Sequence, residues 1–299
     1  MTGIIDAHLH LWDRNRFDYP WMQRLPSLPS VSLPEQQATT ATGAIVIEAG
    51  TVPDQALAEV EWLSGLAEAS PLIRGIVAAV DFTDPHLAEA LDRLRARPLV
   101  VGVRDNFEGR EAGDLAVGSS STADALLAGA LAALDAGLTV DLCVRAAQLD
   151  VLDGFVSALV DVRGTADGLV LDHLGKPLPD DPSFSRSDWV EAMTALAAHP
   201  GLHVKFSGLP GQIPGPVSAH RAYELAADYI GDVVSAFGPG RTMYGSDHPV
   251  STTGHGLTAK AWADAVDTAV RTVLDDSDTA AVMGGTAANF YPTRRNGCP

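Results

Sequence analysis

The feature that most constrains this fold is an alternation along nearly the whole chain. Short β-branched, apolar runs are each followed by a longer alanine- and leucine-rich amphipathic stretch. The apolar runs fall at residues 4–8, 44–49, 73–80, 99–104, 139–144, 169–173, 203–207 and 242–247. Helical spacing occupies stretches between them such as 54–69, 85–96, 122–136, 151–163, 188–199, 218–237 and 257–274. Start and stop signals punctuate the helices. Asp84-Pro85 supplies an N-cap with proline in the first turn, Ser121 with Asp124 resembles a capping box, and Gly137 and Gly238 sit at expected C-caps. Eight strand–helix units predict a (β/α)8 TIM barrel of the α/β class, the closed form of repeated right-handed βαβ crossovers.

Length and composition agree with this reading. At 299 residues the chain suits one α/β barrel, and no linker or low-complexity segment divides it, so one domain over residues 1–299 is expected. Hydrophobic residues at 46% against 19% charged leave ample material for a large core. A net charge of −18 argues against a nucleic-acid or anionic-membrane partner, both of which need basic patches. With only Cys143 and Cys298, a disulfide framework is not expected, in keeping with a reducing cytoplasm. The N-terminus lacks the basic-then-apolar pattern of a signal peptide, and no apolar run reaches the ~20 residues of a membrane helix. The expectation is a soluble cytoplasmic protein. A homodimer is left open.

On a barrel, the C-terminal ends of the strands carry the chemistry. His8 and His10 end the first run, and their i, i+2 spacing on a strand sends both side chains to one side, where neutral imidazoles can hold a metal. Glu48 lies near the end of the second run, Arg104 and Asp105 close the fourth, His173 the sixth and Asp247 the eighth. So many charged endings on apolar runs suit a site on the barrel's top face better than core packing. Each residue has a plainer reading. The histidines can be hydrogen-bonded structure, and His173 can belong to an ordinary turn. Glu48 can be a ligand, a histidine partner or an acid satisfied by an arginine. Arg104 suits recognition of substrate oxygens but can equally be spent on Glu48 or Asp105. Asp6 reads as structural, His248 as ambiguous and Cys143 as a small buried residue; His86, His199, His203, His220 and His255 receive no role. Three loops are candidate walls of the pocket: 14–34, which is rich in proline and aromatics, 110–121 and 207–217.

Six stretches stand in order along the chain: Ile5-Asp6-Ala7-His8-Leu9-His10-Leu11-Trp12-Asp13, Tyr19-Pro20-Trp21, Gly102-Val103-Arg104, Leu171-Asp172-His173-Leu174-Gly175-Lys176-Pro177, Val204-Lys205-Phe206-Ser207-Gly208-Leu209 and Tyr244-Gly245-Ser246-Asp247-His248-Pro249. By these stretches the chain resembles the amidohydrolase superfamily, in its amidohydrolase-related branch of sugar-acid lactonases. L-fuconolactonase-like and L-rhamnono-lactonase-like enzymes belong to that branch, with 2-pyrone-4,6-dicarboxylate lactonase a more distant member. The resemblance implies a barrel that opens a small lactone. Asp247 would be the general base, with His173 beside it. His8, His10 and Asp247 would bind one divalent metal such as Zn²⁺, with Glu48 and His173 as further ligand candidates, or would form a metal-free acid–base network. Arg104 and Lys176 would orient substrate oxygens, and Trp12, Trp21 and Tyr19 would form a stacking wall. No fourth-strand lysine is present to bridge two metals. The runner-up is a metal-dependent decarboxylase of an aromatic or muconate-type acid, and a catalytically silent binding protein is a third reading.

Overall fold

The structure, a computed structural model, describes residues 3–37 and 39–291. Eight parallel strands form one sheet in chain order: β1 (Ile5–Leu9), β2 (Gly43–Ile47), β3 (Ile73–Ala79), β4 (Val100–Asn106), β5 (Thr139–Cys143), β6 (Leu169–Leu171), β7 (His203–Phe206) and β8 (Thr242–Tyr244). The sheet closes at its upper end, where the Asp247 amide donates to the His8 carbonyl at 2.8 Å and the His10 amide to the His248 carbonyl at 2.9 Å. The expected (β/α)8 TIM barrel is the fold.

Seven helices follow the strands from β2 onward: α1 (Ala56–Ala69), α2 (Leu87–Arg95), α3 (Ser121–Asp135), α4 (Leu149–Arg163), α5 (Arg186–Ala197), α6 (Ala219–Phe237) and α7 (Ala259–Val270). They pack leucine-rich faces such as Leu126, Leu152 and Leu225 onto the outside of the barrel. Two boundary signals shift. Asp84 accepts from the His86 amide in a turn before α2, and Ser120 rather than Ser121 caps α3 by accepting from the Ala123 amide. The first unit departs from the expected pattern. Among the described residues, the connection from β1 to β2 holds no α-helix, only 3-10 turns and a two-residue antiparallel ribbon of Trp12–Asp13 with Val31–Ser32. Its prolines and aromatics favour turns and packing over helix.

Two short helices, α8 (Asp276–Ala280) and α9 (Thr286–Phe290), end at the lower mouth. There Ala287 and Tyr291 complete an interior layer with Ala7, Ile45, Ile47, Val77, Val101, Val170 and Met243. No helix among the described residues is long and apolar enough to cross a membrane. Cys143 is buried and unpaired; Cys298 lies outside the described residues.

Candidate active site

Strand β1 presents the histidines through an irregularity. Ala7 belongs to the interior layer, whereas Leu9 and Leu11 pack with the helix-facing core, and the register with β2 shifts between Asp6 and Leu9. This shift lets Ala7 and His8 both face inward, after which simple alternation places His10 inward too. Asp6 locks it: one carboxylate oxygen accepts from the His8 amide at 3.0 Å and the Ser246 amide at 2.8 Å, tying β1 to the β8 end. Burial pushes the Asp6 carboxyl up to about 6. Its expected structural role fits these contacts.

Strands β6 and β8 are shorter than the apolar runs suggest, so His173 and Asp247 sit on turns beyond them. The cause is backbone conformation. His173, Leu174, Lys176 and Asp247 all take positive φ near +50°, which no strand ladder can continue. They are the only non-glycine residues with positive φ among the described ones, and all four lie at the upper rim. Each conformation costs about 1–2 kcal/mol, and such strain gathers where function requires it. Neighbours hold the turn: the Trp189 indole donates to the Leu174 carbonyl at 2.9 Å, and His173 Nδ1 meets Ser207 Oγ at 2.9 Å. Gly208 is required beside it, since a Cβ there would fall 2.6 Å from His173 Nδ1.

These elements bring three groups together at the base of a cavity of about 900 Å³, which His10 and Asp247 line and beside which His8 is fully buried. His8 Nε2 lies 3.2 Å from His10 Nε2; Asp247 Oδ1 lies 3.3 Å from His10 Nε2 and 3.8 Å from His8 Nε2. His10 Nδ1 faces the Ile47 carbonyl at 3.1 Å, so it carries the proton and Nε2 offers a bare lone pair. Burial holds His8 well below its usual pKa and brings His173 down to about 4, leaving both neutral. The Asp247 carboxylate is buried among these imidazoles. Its second oxygen accepts from Ser251 Oγ.

The donor set fits a divalent metal. Ligands about 2.0–2.1 Å from a tetrahedral zinc stand about 3.3 Å from one another; His10 Nε2 lies at that spacing from both His8 Nε2 and Asp247 Oδ1, and the third separation is wider at 3.8 Å. Charge agrees as well. Glu48, Asp141, Asp172 and Asp247 are four carboxylates in one buried network with two cations, Arg104 and Lys205, leaving an excess of two negative charges. His8, Asp172 and His173 form a second group with ligand atoms mutually close. Glu48 belongs to neither group, which corrects its candidacy as a ligand: it is the acid satisfied by an arginine.

The remaining candidates divide. Arg104 reaches the cavity, but its donors are spent on Glu48 Oε1 at 2.5 and 2.8 Å and on Asp172 Oδ2 at 3.2 Å. Lys176 lines the cavity in an ion pair with Glu108, which Arg145 also grips at 2.7 Å. Trp21 forms a wall, with its indole donating to the Ala49 carbonyl at 2.7 Å. Trp12 does not: it is fully buried, bonded to the Pro29 carbonyl at 2.9 Å, and packs behind Trp21, so its expected substrate contact is corrected to a structural one. Tyr19 likewise turns inward, donating to Glu59 at 3.0 Å. Of the three loops, 14–34 supplies Trp21 and Leu25 to the wall; 110–121 and 207–217 supply no lining residue. Asp105 accepts from the Phe82 amide and pairs with Arg110.

Sequence reasoning missed Asp141, Asp172 and Lys205. Asp172 stands beside His173 in the sequence but receives no role of its own there. Asp141 and Lys205 each sit inside an otherwise apolar strand, Thr-Val-Asp-Leu-Cys and His-Val-Lys-Phe. A charge in such a run is buried only with a partner, which is the signal that could have found them.

Known proteins agree with this architecture. The amidohydrolase family model matches residues 5–293. The L-fucono-1,5-lactonase of Burkholderia multivorans is 31% identical over 96% of this chain and 95% of its own length, and that of Burkholderia ambifaria is 29% identical over 97% and 96%. Among solved structures, a Burkholderia multivorans amidohydrolase with bound zinc superposes with a TM-score of 0.82 at 26% identity, covering 96% of this chain and 98% of that one. From its first strand to past its last helix, with the paired histidines and the aspartate at the barrel's upper mouth, this chain belongs to the amidohydrolase family.

Proposed function

We propose that this hydrolase opens the lactone of a sugar acid or related hydroxy acid by attack of water on the ester carbonyl. The observation that carries the reading is the convergence of His8, His10 and Asp247 at the base of the cavity, which His10 and Asp247 line, in a chain alike over nearly its whole length to L-fucono-1,5-lactonases. Asp247 takes a proton from the attacking water as the new carbon–oxygen bond forms. The tetrahedral oxyanion then collapses, the ring carbon–oxygen bond breaks, and Asp247 returns the proton to the departing alkoxide. His173, held by Ser207 at the rim, is placed to donate a hydrogen bond to oxygen as charge develops there. His8, His10 and Asp247 would hold a zinc ion, which when bound polarises a carbonyl and brings the pKa of water down to about 7. Trp21 and Lys176 line the path of the substrate ring and its hydroxyls.

The test is a pH-indicator assay across a sugar-lactone panel, with chelated and zinc-supplemented protein in parallel. Stereoselective acid release supports the reading. Carbon dioxide release from an aromatic or muconate-type acid, with no lactone opened, would replace it with a decarboxylase.

A further inference from the structure

Beneath the cavity floor lies a charged group that ring opening does not use. Lys205, on β7, is wholly buried. An ammonium has three protons to donate and accepts none. Three acceptors surround this one: Asp141 Oδ2 in close contact, Asp172 Oδ1 at 2.9 Å and His8 Nδ1 at 3.3 Å. The Tyr291 ring lies 5.5 Å from Nζ, and its hydroxyl donates to the other oxygen of Asp141 at 3.0 Å, which fixes the ammonium in place.

His8 Nδ1 therefore stands 3.3 Å from both Lys205 Nζ and Asp172 Oδ1, but only the Lys205 contact is aligned as a hydrogen bond, and Asp172 Oδ1 is left without a hydrogen-bond partner. Which one it engages decides the behaviour of its other nitrogen. When Nδ1 accepts from Lys205, the ring proton sits on Nε2 and meets the bare lone pair of His10 Nε2, 3.2 Å away. A directed chain then runs from Lys205 through His8 and His10 to the Ile47 carbonyl, with every donor matched to an acceptor. When Nδ1 instead carries the ring proton and points it at Asp172, the lone pairs of His8 and His10 face each other beside the Asp247 carboxylate. Only a cation between them relieves that repulsion.

We propose that Lys205 is a positioning residue that holds His8 as an Nε2–H donor in the metal-free protein, and that a divalent cation gains His8 as a ligand only by breaking this hydrogen bond. Lys205 thus opposes metal uptake, while Asp172 supports it as an acceptor for the Nδ1–H that ligation through Nε2 requires. The inference is independent of which ester the enzyme opens.

The sign of the effect separates this role from a structural one. Loss of an ordinary orienting partner weakens metal binding by 10–100-fold. Removing Lys205 is expected to tighten zinc binding about tenfold, the worth of one hydrogen bond from a charged donor. Zinc affinity would be read by competition with a chromogenic chelator on the full chain, comparing wild type, Lys205→Met and Lys205→Met/Asp141→Asn. The double variant removes one cation with one of its anions, so it keeps the charge balance and isolates the hydrogen bond. Tighter binding in both supports the proposal; unchanged or weaker binding in the double variant overturns it. Long-range nitrogen-15 correlation spectra of chelated wild type give an answer that needs no variant. His8 is expected as the Nε2–H tautomer, and an Nδ1–H tautomer there overturns the proposal.

Discussion

The two ends of this barrel are built from the same strands and obey opposite rules. At the lower end, Ile45, Val101, Val170 and Met243 meet Tyr291 in a dry interior layer. Two to four residues further along the same segments come Glu48, Arg104, Asp172 and Asp247, all buried and all charged. The lower end gains stability from removing apolar surface from water and asks only for volume and shape. The upper end carries four carboxylates, two cations and four left-handed residues, a costly arrangement that a packed apolar layer would not need. Stability and chemistry are separated along one axis, and the ion triad of Lys205, Asp141 and Asp172 marks the junction.

That separation can be broken in order of expected effect. Asp247→Asn should lower kcat by about 10³-fold while the thermal midpoint stays within a few degrees, because a nearly isosteric amide cannot accept the proton. Near wild-type turnover on the best lactone would remove Asp247 from the role of base. At the other end, Ile45→Ala should cost about 2–5 kcal/mol in denaturant unfolding and leave kcat within about twofold at 25 °C. A large loss of turnover at full occupancy of the folded state would mean that the two ends are coupled.

Behind the upper cavity wall sits Glu59 on α1, accepting from Tyr19 and from the Ala49 amide. Burial first, and then the nearby Glu48 charge, push its carboxyl up to about 8 from an ordinary 4.5. The folded protein thus binds this proton more tightly than the unfolded chain does. The stability it contributes is complete below about pH 4.5 and is lost as pH rises through about 8. Glu59→Gln should flatten that part of the thermal-midpoint profile, and an identical profile in the variant would place the titration elsewhere. The smallest contrast is between two tryptophans. Trp21→Phe should raise KM by a fewfold with little change in stability, since Trp21 lines the cavity. Trp12→Phe should cost about 1–3 kcal/mol of stability with KM unchanged, because it leaves the Pro29 carbonyl without its buried donor. Reversed outcomes in KM and unfolding measurements would exchange their places.

Much of this molecule was legible before any coordinates. Runs of β-branched residues and helical spacing reveal the barrel because burial of apolar area follows local periodicity, which a single chain displays directly. The histidine pair, His173 and Asp247 were readable for a related reason: ionisable residues at the ends of apolar runs are conspicuous, and barrel topology gathers those ends on one face. Three features could be decided only by the folded chain. Arg104 was equally a substrate ligand or an ion-pair partner until Glu48 and Asp172 were found to occupy its donors. Trp12 and Trp21, nine positions apart in one aromatic loop, differ only in which of them the loop turns toward the cavity. Lys205 meets Asp141 and His8 from 64 and 197 residues away. Periodicity is a property of neighbours along the chain, whereas hydrogen-bond partners, tautomers and open faces are set by groups that meet only when the barrel closes.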